Sequence, residues 1–268
     1  MADKDILETW KTLADLRQQA PVIHNITNYV VMNTTANALL AIGASPVMAH
    51  AEEEMADMVG IASALVINIG TLSKEWVNSM FKAAEAAAKR GIPIVIDPVG
   101  AGATPYRTAT VQALLGAVKP AIIRGNASEI MAVYGADAKT KGVDSSAGSR
   151  DALSAALALN GSSGAVVCIS GAVDYIVAKS GIRKVANGHP MMTRVTGLGC
   201  TASALCGAFA AVNPDHALAA AQAMVVMGIA GEMAAKAAPG PGSLQVRFLD
   251  TLYQLNREDI EQRIRLEG

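Results

Sequence analysis

The chain has 268 residues and a formal net charge of −1, a balance that offers no basic field for nucleic acid or an anionic membrane surface. Apolar residues make up 51% of it and aromatics only 4%, so the core must be built from Ala, Val, Ile, Leu and Met, with helices approaching closely. Three cysteines, Cys168, Cys200 and Cys206, are too few and odd in number for a disulfide framework, which points to a reducing, cytoplasmic setting. The N-terminal MADKDILETWKTLADLRQQ is charged and amphipathic and lacks the apolar centre of a signal peptide.

From there short aliphatic runs alternate with longer, Ala-rich ones. Strands are predicted at 21–25, 45–49, 64–69, 93–98, 121–126 and 165–171, with helices over 28–42, 52–61, 73–90, 105–118, 127–134 and 147–160 between them. Continuous apolar strands separated by helices predict right-handed crossovers and a mostly parallel sheet buried on both faces. YIVAK (175–179) and IRKVAN (182–187) read instead as a hairpin turning at Ser180–Gly181. Residues 201–261 read as helical in several segments, broken at PGPGS (239–243). The uncharged run Val195–Pro214 contains three glycines, an asparagine and a proline, so it reads as a loop and a buried helix rather than a membrane span. No repeat or linker interrupts the pattern, and a single domain over 1–268 is expected.

Ligands of open parallel sheets bind beyond the carboxyl ends of the strands. Polar residues recur there: His24 and Asn25, Asn68, Asp97, Arg124 to Asn126, and Ser170. IDPVGAGAT (96–104) ends a strand with Asp97, which either caps a glycine turn or faces a hard cation such as Mg²⁺. In RGNASEI (124–130), Asn126 and Glu129 have the spacing of a helix capping box, while Glu129 could equally face the same cation. Arg124 offers a planar fork of donors suited to phosphate oxygens. TGLGCTASA (196–204) reads as a glycine turn opening a helix, whose free N–H groups form an anion site. It is neither a GxxxxGK[ST] loop nor GxGxxG.

IDPVGAGAT, RGNASE and a late TGLGCTASA, in this order, resemble the ribokinase-like small-molecule kinases. PVIHNITNYVVMNTTANALLAIGASPVMAHAEEE (21–54) narrows the resemblance to the hydroxyethylthiazole kinases, over about residues 10–255. The resemblance implies a three-layer α/β/α sandwich and ATP-dependent phosphorylation of the primary hydroxyl of 4-methyl-5-(2-hydroxyethyl)thiazole, a step of thiamine biosynthesis and salvage. It implies that Asn25, Thr27 and Met48 line the thiazole pocket and that Gly197 touches the substrate. The backbone of Gly197, Leu198, Gly199 and Cys200 would form the anion hole. Arg124, Asn126 and Ser170 would contact ATP, and Asp97 and Glu129 would organise Mg²⁺. It further implies a homotrimer with sites between subunits. Related sugar kinases carry Asp where this chain has Cys200. A thiol is the poorer proton acceptor, so Cys200 reads as a guide for the substrate hydroxyl and at best a weak base, against the alternative of a small residue packed at a helix start. Two other readings stay open: a kinase for another small alcohol, and a nucleotide-binding protein without turnover.

Overall fold

The computed structural model describes residues 2–135 and 147–268. A helix not anticipated from the apolar pattern, α1 (Ala2–Gln19), precedes β1 (Val22–Ile26), α2 (Met32–Ile42) and β2 (Ser45–Val47). A single 3₁₀ turn, Glu52–Glu54, leads into α3 (Met55–Ile61); the predicted helix over 52–61 is thus two pieces. Then follow β3 (Ala64–Asn68), α4 (Lys74–Arg90), β4 (Ile94–Asp97), α5 (Pro105–Ala117), β5 (Ile122–Asn126), α6 (Ala127–Tyr134), α7 (Ala147–Ser163) and β6 (Val166–Ser170). The hairpin is β7 (Asp174–Ala178) and β8 (Gly181–Val185). Ala178 pairs with Gly181, so its turn is Lys179–Ser180, one residue earlier than expected. The C-terminal region is α8 (Leu198–Val212), α9 (His216–Ala237), α10 (Pro241–Gln254), α11 (Arg257–Arg263) and a short β9 (Leu266–Glu267) that the sequence pattern did not reveal.

The nine strands form one sheet in the order β2-β1-β3-β4-β5-β6-β7-β8-β9. The first six are parallel, and β7, β8 and β9 add antiparallel partners at one side. Strand residues alternate between two cores. Val66, Val95, Ile122 and Cys168 pack with α1, α2, α8, α9 and α10. Leu65, Ile67, Ile96 and Ile123 pack with residues of α3 to α7 on the opposite face. The three-layer α/β/α sandwich with a mostly parallel central sheet is therefore observed. Helix α9 is long and apolar enough to cross a membrane by composition, but 83% of its apolar window is buried in the fold, so it is a core helix. Cys168 and Cys206 are buried in the first core, and all three cysteines are free.

Local chemistry places the helix ends. Ser73 and Thr104 accept the backbone N–H groups of Trp76 and Arg107, and Pro105 follows Thr104 at the first helical position. Asp215 accepts two N–H groups at the start of α9. Helix α8 lies against the middle of the sheet because Gly207 has no side chain. A Cβ there would stand 2.6 Å from Val66 Cγ2. Gly207→Ala should accordingly cost about 1–3 kcal/mol by overpacking, read as a lowered Tm in thermal unfolding.

Candidate active site

The chain runs out from β1 to β2 and returns to β3 on the other side of β1. This reversal is the switch point at which the carboxyl ends of an open α/β sheet splay to leave a crevice. Asn28 follows β1, Asn68 ends β3, Asp97 ends β4, Asn126 ends β5 and Ser170 ends β6. The N-terminus of α8 closes over these ends.

Two cavities meet there. The smaller, about 430 Å³, is lined by Asn28, Asp97, Arg124, Asn126, Glu129, Ser170, Gly197, Gly199 and Cys200 among others. The larger, about 570 Å³, shares Arg124, Ser170 and Gly199, and continues past Asp174, His189 and Pro190 to an apolar wall of Met192, Leu198, Ala202, Met224 and Met227. The shared residues stand between them.

Gly197 is required at the turn into α8. Its φ is 85°, in the left-handed region, and a Cβ there would stand 2.7 Å from Val31 Cγ1. Thr201 makes the first bond of the helix, its N–H donating to the Gly197 carbonyl at 2.9 Å. The N–H groups of Leu198, Gly199 and Cys200 precede that bond, so none has a carbonyl partner within α8. They form a ready anion site at the positive end of a 15-residue helix.

Arg124 is buried and reaches this turn, with Nη1 donating to the Gly199 carbonyl at 2.9 Å. Its Nε is a buried donor with no partner among the described residues. Burial works against its charge, but Asp97 and the other acidic groups around it outweigh that cost and raise its pKa. An arginine so held, with a donor still unmet between two cavities, suits a phosphate chain lying across both.

Asp97 is 1% exposed. Its Oδ2 accepts from Asn68 Nδ2 at 2.7 Å and from Ser203 Oγ at 2.8 Å, and its Oδ1 carries neither bond. Burial pushes its pKa up to about 7, with Arg124 pulling the other way and Glu129 adding to the rise. Glu129 does form the capping box, with its Oε2 accepting from Asn126 N–H at 2.8 Å and Asn126 Oδ1 accepting from Glu129 N–H at 2.9 Å. Its Oε1 also accepts from Gly100 N–H at 2.9 Å and so holds the glycine loop after β4. Ser170 Oγ donates to the Gly125 carbonyl at 3.3 Å.

Cys200 is partly buried on the wall of the smaller cavity. Burial pushes its thiol up to about 11, and the nearby Asp97 adds to the rise. It is a neutral thiol at physiological pH. Neither His24 nor His50 lines its cavity: His24 is fully buried with Nε2 2.9 Å from the Ala49 carbonyl, and the His50 ring lies 4.7 Å from that of Trp76.

Not every expected residue converges. Asp97, Arg124, Asn126, Glu129, Ser170 and the Gly197–Cys200 turn share the crevice. Asn25, Thr27 and Met48 do not line it. Asn25 and Thr27 are buried at the end of β1, and Asn25 Oδ1 has no partner among the described residues. Three residues joined to the site carried no assignment from the sequence. Asn28 lay unremarked inside HNITN. Ser203 sits three residues after Cys200, on the same helix face, a spacing that could have revealed it. Asp174 opens the hairpin strand β7, away from the carboxyl ends of the parallel strands.

The fold is of the ribokinase-like class, and the crevice lies at the carboxyl ends of its parallel strands. A ribokinase-like superfamily protein from Enterococcus faecalis, only 14% identical, superposes with a TM-score of 0.63 over 91% of this chain and 89% of its own. The model of the hydroxyethylthiazole kinase family matches residues 13–258. A hydroxyethylthiazole kinase from Syntrophus aciditrophicus is 64% identical over 259 residues, 96% of each chain. The structure of a hydroxyethylthiazole kinase protein from Pyrococcus horikoshii, 43% identical, superposes with a TM-score of 0.90 over 97% of this chain and 98% of that one. The chain belongs to the hydroxyethylthiazole kinase family.

Asp174 supplies a test of the electrostatics beside the shared wall. Its Oδ1 accepts from Gly171 N–H at 2.9 Å, and burial raises its pKa from 3.8 to about 6. A raised carboxyl favours folding in its protonated form. The stability it confers is complete below about pH 4 and is lost as pH rises through 6. Asparagine keeps the acceptor without the charge, so Asp174→Asn should gain on the wild type by up to about 3 kcal/mol between pH 4 and pH 8. Tm measured across that range checks the gain.

Proposed function

We propose that this chain transfers the γ-phosphoryl group of ATP to the primary hydroxyl of 4-methyl-5-(2-hydroxyethyl)thiazole, releasing ADP and the thiazole phosphate for thiamine biosynthesis. Family membership supports the substrate. The observation that carries the chemistry is the convergence of the α8 turn, Arg124, Asp97 and Cys200 on one crevice. The larger cavity, with its apolar wall, takes the nucleotide base, and Arg124 and Ser170 hold the phosphates between the two cavities. Asn126 stands at the edge of the same phosphate path.

The substrate oxygen attacks the γ-phosphorus, the bond to the β,γ-bridging oxygen breaks as ADP leaves, and the hydroxyl proton passes to an oxygen of the transferred phosphoryl group and from there to solvent. The transferring group carries its charge on equatorial oxygens, and the free N–H groups of Leu198, Gly199 and Cys200 with the Arg124 guanidinium meet it there. Positioning dominates such a transfer, so a strong base is not required. Cys200, a neutral thiol, orients the attacking hydroxyl rather than removing its proton.

Asp97 and Glu129 are the residues that would hold Mg²⁺. Two carboxylates in one cavity, one with an oxygen left out of its side-chain bonds, suit a hard cation that keeps water and phosphate oxygens as its other ligands. Among the described residues no group of three or more His, Cys, Asp or Glu side chains forms a cage made of protein alone. Bound with ATP, Mg²⁺ neutralises phosphate charge.

We also propose a homotrimer in which Met48, which is only partly buried, faces a site completed by a neighbouring subunit, while Asn25 and Thr27 stay buried at the end of β1. We take the protein to be soluble and cytoplasmic.

The test is a Mg-ATP assay with hydroxyethylthiazole, following thiazole phosphate by mass. Wild type should form it; intact ATP binding without this product would point to another alcohol or to lost turnover. Cys200→Ala should lower kcat roughly 100-fold, and Cys200→Asp should recover much of the loss, because a carboxylate also accepts from the hydroxyl. Arg124→Lys should raise the KM for ATP roughly tenfold with little change in that for the thiazole, since lysine lacks the planar fork. Sedimentation equilibrium tests the trimer.

A further inference from the structure

A chain of side-chain amides joins the thiol of Cys200 to the carboxylate of Asp97. Asn28 Nδ2 lies 3.4 Å from Cys200 Sγ and 2.9 Å from Asn68 Oδ1, donating to both. Asn68 Nδ2 then donates to Asp97 Oδ2 at 2.7 Å. The orientation of each amide is set by a backbone N–H that can only donate. Val30 N–H donates to Asn28 Oδ1 at 3.1 Å, which leaves Nδ2 facing the sulfur. Gly70 N–H donates to Asn68 Oδ1 at 2.9 Å, which leaves the other Nδ2 facing the carboxylate. Asn28 and Asn68 are 4% and 1% exposed, and the Asn28–Asn68 and Asn68–Asp97 bonds are buried, so water does not compete for those two.

We infer that Asn28 is a positioning residue for phosphoryl transfer: its amide holds the Cys200 sulfur as an acceptor, and its bond to Asn68 ties that sulfur to the buried end of β4. With the sulfur accepting from Asn28, the thiol hydrogen is directed away from Asn28. The thiol is thereby kept in one rotamer over the smaller cavity, at the depth set by Asp97. Without the amide, a cysteine side chain at the first turn of α8 is free to rotate, and the hydroxyl it guides loses its alignment with the phosphoryl group. The inference rests on the reading of Cys200 as the guide for that hydroxyl.

Gly70 belongs to the same device. A Cβ there would stand 2.6 Å from Asn28 Nδ2 and 2.8 Å from Asn28 Cβ and Cγ, so the absence of a side chain at 70 lets the Asn28 amide sit where it does. Gly70→Ala therefore displaces the amide without changing its chemistry. Asn28→Asp keeps its shape and the acceptor for Val30 while removing the donor.

The experiment combines kinetics, substrate binding and a double-mutant cycle. Asn28→Asp and Gly70→Ala are assayed with Mg-ATP and hydroxyethylthiazole, each alone and on the Cys200→Ala background. Binding of hydroxyethylthiazole to each protein, free of nucleotide and metal, is measured by calorimetry. Each single variant should lose about 100-fold in kcat, as expected for a misaligned reacting group, while thiazole affinity stays within about twofold. On the Cys200→Ala background the same substitutions should cost less than about twofold, because the group they position is gone. The proposal is overturned if kcat in the folded variants is near normal, if thiazole affinity falls in step with kcat, or if the losses add in full to that of Cys200→Ala. Should Asn28→Asp fail to fold, Gly70→Ala decides the matter alone. Near-normal turnover of Cys200→Ala itself would overturn the role of the thiol and with it this one. A slow Cys200→Ala with additive partners would leave the thiol's role standing and remove only that of Asn28.

Discussion

The close approach of α8 to the parallel sheet is the constraint on which the site depends. Gly207 lets the helix axis settle against Val66, and Gly197 gives its first turn a left-handed entry against Val31. Together they bring the free N–H groups of the helix start over the carboxyl ends of β4, β5 and β6. A helix lifted by one side chain at Gly207 would carry Cys200 and Ser203 away from Asp97. The free N–H groups of the helix start, the thiol of Cys200 and the Ser203 bond to Asp97 thus share one mechanical origin in the packing of small residues.

That packing also sets the electrostatics. Asp97 and Arg124 are almost wholly buried, and each would be costly alone. They are kept by mutual attraction and by neutral donors and acceptors: Asn68 and Ser203 on the carboxylate, the Gly199 carbonyl on the guanidinium. The pull of burial on Asp97, up to about 7, shows that the balance is not fully offset by these partners. Groups held in that condition respond strongly to an added charge, which is how a site poised for a polyanion and a cation would be built.

Much of the architecture was legible. Aliphatic strands such as ALVIN and VVCIS, set between Ala-rich helices, could only be buried on both faces. Asp97, Arg124 and Ser170 could be named because a parallel sheet puts its strand ends in one place. α1 was legible only as a charged amphipathic segment, and β9 escaped because two residues carry no period. The ambiguity at Glu129 was physical: the same carboxylate that makes the capping box also secures the Gly100 loop and lines the cavity, so the structural role did not exclude the site.

The sequence by itself determined the fold class, the family and the strand-end polar residues, because these follow from periodicity and from motifs that are local in the chain. Only the tertiary structure decided how those residues are wired. Asn28, Asn68, Asp97 and Ser203 come from four separate segments, and nothing in their spacing indicates that one amide touches the next. Likewise only the packed structure decided the state of Cys200, since its thiol is raised by burial and by Asp97, 103 residues away in the chain. Hydrogen bonds across such distances in sequence exist only once the helices have closed on the sheet and excluded water.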